Sequence, residues 1–226
     1  MEEVDHVFSI VVAGDSNAGK TSLINRLSKD IFLDIQDSGS TSFDGLMYSI
    51  IVKLENCLVR LNIWDTTGID DYKALNSAHF ADAQGCIFLY SMNDPKSLKN
   101  LSYKWKRDFE KDSMSPHVFF LVGTKYDLPK EEYVVKEEDV KETALMFDAQ
   151  AFCISSLTGF GIDDLKKSIA ETLVEKLAPK HQENESSTQI DTQLSTTEIK
   201  VPKNKKKEKS NKKDKFDKKH KSCLIF

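Results

Sequence analysis

The segment GDSNAGKT, residues 14–21, has the spacing G-x-x-x-x-G-K-[ST], with a short apolar run before it and a helical pattern after it. In that context the residue types build a polyphosphate cradle. Gly14 and Gly19 let the backbone wrap a phosphate, and the amides of Ser16, Asn17, Ala18, Gly19 and Ser22 lie in or next to the loop, where positive dipole ends collect. Lys20 has the reach for β- and γ-phosphates, and the Thr21 hydroxyl suits Mg²⁺. The motif implies a nucleoside triphosphate and leaves the base open.

The base is addressed by TKYD, residues 124–127, at the end of a later apolar run. A buried carboxylate at Asp127 accepts two hydrogen bonds from the N1–H and exocyclic amine of guanine, a pair of donors that adenine does not offer on that edge. An unsuitable base would leave the charge unpaired. The opposite end of the chain carries a different chemistry. It closes on Cys223-Leu-Ile-Phe, a C-a-a-X box whose terminal Phe favours geranylgeranyl. One lipid anchors only marginally, and the preceding lysines supply the second signal toward an anionic leaflet. Other readings of the lysine run are a nuclear-import or nucleic-acid patch, or a solubilising tail.

Elements must bring these motifs together, and the pattern is one of short apolar runs alternating with helical stretches. Runs 7–15, 48–54, 58–64, 85–92, 117–123 and 151–155 read as strands, the second and third as a hairpin about ENC. Residues 20–28 read as a helix with Leu23, Ile24 and Leu27 on one face, followed by helices near 95–112, 136–147 and 161–177. The expected fold is α/β: a mostly parallel six-stranded sheet with helices on both faces and its crevice at the carboxyl ends of the strands.

With 226 residues the chain holds one well-buried domain, expected over 1–179. Beyond Pro179 it turns polar. Residues 180–199 contain no aromatics, and 200–226 are rich in lysine, so both are expected to be disordered when free. From Lys200 to Lys221 there are 12 Lys against three acids, net +9, which leaves −13 on the rest of a chain whose formal charge is −4. An acidic body therefore carries a basic tail. Four cysteines are too few and scattered for a disulfide framework, and Cys57, Cys86 and Cys153 read as buried thiols inside apolar runs. The acidic start MEEVDHVF does not read as a secretory signal, Glu2 excludes N-myristoylation, and no apolar run approaches the ~18 residues of a membrane span.

Taken together, GDSNAGKTS, LNIWDTTG, VGTKYDL and CISSLTG resemble, in order and spacing, the motifs of the Ras-superfamily small GTPases over residues 7–177. The branch it most resembles is the Rab branch, through AHFADAQGCIFLYSMNDPKSLKNLSYKW with its Trp105, and it lacks the Rho-type insert. The resemblance implies that Asp65 holds magnesium through water, that Gly68 donates its amide to the γ-phosphate, and that Thr124, Lys125 and Asp127 bind the base. It places the Ser156 and Leu157 amides, beside Ser155, at the guanine oxygen, and Phe32 against the ring. Counting back from Asp65 puts Ser42 at the family's metal-binding threonine, though Thr41 is one residue away and either could serve.

Ile69 in WDTTGIDD stands where the resemblance implies a glutamine that orients the attacking water. Isoleucine neither donates nor accepts, which implies GTP hydrolysis slowed unless Asp70 or a partner's side chain substitutes. The whole reads as a monomeric, GTP- and GDP-binding switch with Mg²⁺, Lys20 and Gly68 contributing to catalysis, and segments 31–47 and 66–80 changing order with the γ-phosphate. Its implied partners are effectors, an exchange factor and an activating protein, with no nucleic acid. Its implied place is the cytoplasmic face of a membrane, with a soluble pool, in vesicle traffic. Alternatives are a pseudo-GTPase scaffold, suggested by Ile69, and a Rho-like or septation-type GTPase, suggested by GTKYD and the single-cysteine box.

Overall fold

In a computed structural model, described over residues 3–32, 47–66 and 73–179, six strands form one sheet in the order β2-β3-β1-β4-β5-β6. They are β1 His6–Ala13, β2 Met47–Lys53, β3 Leu58–Asp65, β4 Gly85–Ser91, β5 Val118–Thr124 and β6 Gln150–Cys153. Only the β2–β3 pair is antiparallel, closed as a hairpin by Leu54 N–H donating to Cys57 O at 2.9 Å. The remaining pairs are parallel, so β1, β3, β4, β5 and β6 all end at the same edge. The sheet expected from the sequence is therefore present.

The helices are α1 Lys20–Lys29, α2 Lys73–Ala81, α3 Pro95–Asn100, α4 Lys106–Asp112, α5 Glu137–Phe147 and α6 Ile162–Leu177. The segment 95–112, read from sequence as one helix, is divided. A π-turn over Leu101–Trp105 joins α3 to α4, with Lys106 N–H reaching back five residues to Leu101 O. The start is fixed by Asp94, whose carboxylate accepts from Lys96 N at 3.0 Å, with Pro95 preset for the first turn. Part of the segment 66–80, expected to change with nucleotide, is the helix α2.

Period-two alternation sorts the strand side chains onto two faces. Phe8, Ile10, Val12, Leu61, Ile63, Leu89, Phe120 and Val122 meet Leu23, Ile24 and Leu27 of α1 and Leu165, Ile169 and Leu173 of α6. Val11, Ala13, Phe88, Tyr90 and Leu121 face Phe80, Trp105, Phe109, Val140 and Phe147. Cys86 and Cys153 are buried as expected, but Cys57, at the tip of the β2–β3 hairpin, is only half-buried, packed against the edge of the core.

Phe109 is fully buried, with ring centroids 5.2 Å from Phe80, 6.3 Å from Phe88 and 5.5 Å from Phe119. Phe109→Ala removes the centre of this aromatic group and is expected to cost about 3–5 kcal/mol of stability. Urea unfolding should show a lower midpoint with an unchanged slope.

Candidate functional site

Parallel order makes the site. The loop after β1, the end of β3, and the loops after β5 and β6 converge at the carboxyl edge of the sheet. Gly14 leaves β1 with φ 155°, and a Cβ there would stand 2.5 Å from Leu89 O of the neighbouring strand. Asn17 takes φ 63°, and Gly19 takes φ 94° directly before α1. No described side chain caps α1, so its first amides face the loop. Ser16 and Asn17 are exposed at the loop tip, while Ala18 is buried below them.

Lys20 is 7% exposed and folds back over this loop, with Nζ donating to Gly14 O and Asp15 O at 2.8 Å each. Burial pulls its ammonium down to about 8, against the opposing charges of Asp65 and Asp15. An anion seated in the loop would favour the charged form further. Beside it the Thr21 hydroxyl donates to Asp65 Oδ2 at 2.9 Å, and Thr66 Oγ1 ties the end of β3 to Val12 O at 2.5 Å. Burial raises the Asp65 carboxyl, with the Thr21 hydrogen bond and Lys20 acting in the other direction.

Asp65 Oδ1 is buried without a hydrogen-bond partner among the described residues. A carboxylate with one orphaned oxygen beside a hydroxyl is the donor set of a hard dication that completes its shell with water and phosphate oxygens. Thr21 and Asp65 therefore fit Mg²⁺.

At the other end of the crevice, the Thr124 hydroxyl is turned inward and donates to Ala18 O at 2.7 Å, with Tyr90 O at 3.1 Å. It clamps the base loop to the phosphate loop. Lys125 then takes φ 63°, and Tyr126 N–H bonds to Ile154 O at 3.1 Å, tying the loop after β5 to the one after β6. Tyr126 stacks between Tyr133 and Phe160, at centroid distances of 5.5 Å and 5.4 Å. Asp127 differs from the sequence expectation, because it is exposed. It lies past the end of β5 on the crevice rim, where Ser155 Oγ donates to its Oδ1. Ser155 and Ser156 are buried and Leu157 is half exposed, while Phe32 lies exposed just beyond α1. Thr41, Ser42, Gly68, Ile69 and Cys223 lie outside the described residues.

The sequence reading missed how Asp15 is held. Its carboxylate sits in the phosphate loop, where an unpartnered negative charge would repel the ligand. Asn100 Nδ2 donates to Oδ2 at 2.6 Å and Trp105 Nε1 to Oδ1 at 2.8 Å. Residues five apart stand ~140° apart on an ordinary α-helix, so both reach one carboxylate only because of the π-turn between them. Lys104 adds a cation 4.6 Å from the Trp105 ring centroid.

Residues 9–175 match the model of the Ras family. The chain belongs to the Ras family. It is similar to Ras-related protein Rab-1 of Theileria parva, 29% identical over 206 residues, which cover 91% of this chain and 90% of that protein. It is also similar to Ras-related protein Rab-13 of Rattus norvegicus, 28% identical over 91% of this chain and 96% of that protein. A third relative is Ras-related protein Rab-8 of Diplobatis ommata, 28% identical over 90% and 94%. This chain is thus a Rab-like small GTPase, a GTP hydrolase that works as a switch. Ras-family GTPases bind GTP and GDP, generally with Mg²⁺, and act through regulators and effectors.

For this Ras-family chain the Asp15 contact has a measurable consequence. Trp105→Phe keeps the ring and removes its N–H, and is expected to weaken GDP binding on the order of tenfold, the scale of one charge-assisted hydrogen bond. Titration calorimetry reads it directly. Adding Asp15→Asn to that variant removes the charge and should recover much of the loss.

Proposed function

We propose that this chain is a Rab-like switch that binds guanine nucleotide with Mg²⁺, hydrolyses GTP slowly by itself, and acts lipid-anchored on the cytoplasmic face of a membrane in vesicle transport. The observation that carries the nucleotide reading is the convergence of Lys20, the Thr21–Asp65 pair, Thr124 and the Ser155–Asp127 pair on one sheet edge. Purified protein should retain GDP strongly over ADP with magnesium present. Equal retention would remove the basis of the reading.

In this reading Ser16, Asn17, Ala18, Gly19 and Ser22 line the triphosphate. Lys20 exchanges the Gly14 and Asp15 carbonyls for phosphate oxygens, where its charge offsets the negative charge of the transition state. Thr21, Asp65 and Ser42 or Thr41 would hold Mg²⁺, which would supply positive charge against the phosphates. Gly68 offers its amide to the γ-phosphate, Lys125 and Asp127 grip the guanine ring with Phe32, and the Ser156 and Leu157 amides meet its oxygen. Segments 31–47 and 66–80 carry the nucleotide state to effectors, and the protein works as a monomer with a soluble pool. Residues 1–179 form the GTPase domain, 180–199 a polar linker and 200–226 a lysine-rich tail prenylated at Cys223.

Ile69 is the feature that sets the rate. Most of the catalytic work in this chemistry is positioning and charge stabilisation, so a side chain that cannot orient water costs on the order of a hundredfold. Single-turnover hydrolysis should accelerate by about that factor in Ile69→Gln, and an unchanged rate rules this assignment out. Cys223→Ser should move the protein from membrane to soluble fractions in cells, since lysines alone hold weakly at physiological salt.

A further inference from the structure

Arg26 lies on α1, outside every assignment made above, and its guanidinium is spent entirely on backbone carbonyls and one aspartate. Nε donates to Ser156 O at 2.7 Å, Nη2 to Leu157 O at 2.8 Å and Nη1 to Asp30 O at 2.9 Å, with Asp30 Oδ1 at 3.4 Å. The side chain is 14% exposed. Two segments distant in sequence therefore meet one rigid plane: the end of α1 with its left-handed cap at Asp30, which has φ 53°, and the loop after β6. A planar fork fixes the directions of its acceptors, which a lysine ammonium does not.

The directions matter because a trans peptide points its C=O and its N–H to opposite sides. Anchoring Ser156 O against α1 turns the Leu157 N–H away from α1. Anchoring Leu157 O does the same for Thr158 N–H, which donates to Ser155 Oγ at 3.1 Å, and that hydroxyl in turn holds Asp127. On its other side the guanidinium fixes the carbonyl of Asp30, two residues before Phe32. We propose that Arg26 is a positioning residue for the purine: it aims the Leu157 amide at the ring oxygen and, through Thr158 and Ser155, steadies Asp127. This rests on the guanine reading proposed above.

The test compares GDP with 6-thio-GDP, in which a weakly accepting sulfur replaces the ring oxygen while both donors toward Asp127 remain. Affinities and release rates are measured on the full chain with Mg²⁺, for the unaltered protein, Arg26→Lys and Arg26→Gln. ADP serves as a third ligand, and circular dichroism checks that each variant is folded. The unaltered chain should prefer GDP over 6-thio-GDP by roughly two- to tenfold, the worth of one hydrogen bond. Both variants should bring that ratio close to one and speed GDP release on the order of tenfold. If both variants weaken the two guanine nucleotides equally and keep the ratio, or change neither, Arg26 is a structural tie only and the inference is overturned. Loss of the GDP preference over ADP in the unaltered chain overturns the guanine reading instead, and this inference with it.

Discussion

The Thr124 hydroxyl joins the two halves of the nucleotide crevice, and the rest of the site depends on that joint. It has a single proton, held between Ala18 O and Tyr90 O and closer to the first. Parallel strands bring the loops after β1 and β5 near each other, with β4 between them, but nothing in strand pairing fixes the spacing of two loops beyond the strand ends. A buried side-chain hydrogen bond does, because breaking it would leave a polar group unsatisfied in a dry place. Gly19 lies opposite, where a Cβ would approach within 3.5 Å of the same hydroxyl. The spacing of the two loops is thus set by this buried hydroxyl.

Burial gives the phosphate end its electrostatic character. A lysine and an aspartate removed from water are each pushed toward neutrality, Lys20 downward and Asp65 upward. The protein alone meets part of this cost internally: two carbonyls receive the ammonium and one hydroxyl meets one carboxylate oxygen. The other oxygen of Asp65 is left over. A triphosphate with its divalent cation supplies the opposite charge to both groups at once. The same burial therefore gives binding of such a ligand part of its driving force.

Much of this was legible in the sequence because it rests on local rules. The alternation of Val59, Leu61 and Ile63 marked β3; the glycine and lysine spacing marked the phosphate loop; Leu23, Ile24 and Leu27 marked the buried face of α1. Features set by tertiary context were not legible. Asp127 was read as buried because a base-reading carboxylate works best when desolvated, yet the side chain stands on the crevice rim, where the ligand itself must provide the cover. Arg26 carried no signal in the sequence, since its carbonyl partners lie about 130 residues away. The division of 95–112 escaped because a π-turn keeps helical composition and changes only which residues share a face.

That last point bears on why the turn persists. A π-turn is poorer in hydrogen-bond geometry than the helix around it, so a regular helix over 95–112 would be preferred if packing were its only task. Phe109, Leu101 and Leu98 are buried within it, and apolar side chains of that kind tolerate repacking. The Asp15 carboxylate does not tolerate it. An acid in a phosphate loop must be turned aside and satisfied, and the two donors that do so, Asn100 and Trp105, come from positions that a regular helix would place on different faces. The irregular backbone and the acidic residue explain each other: each is unfavourable alone, and together they leave the loop amides free to face a phosphate.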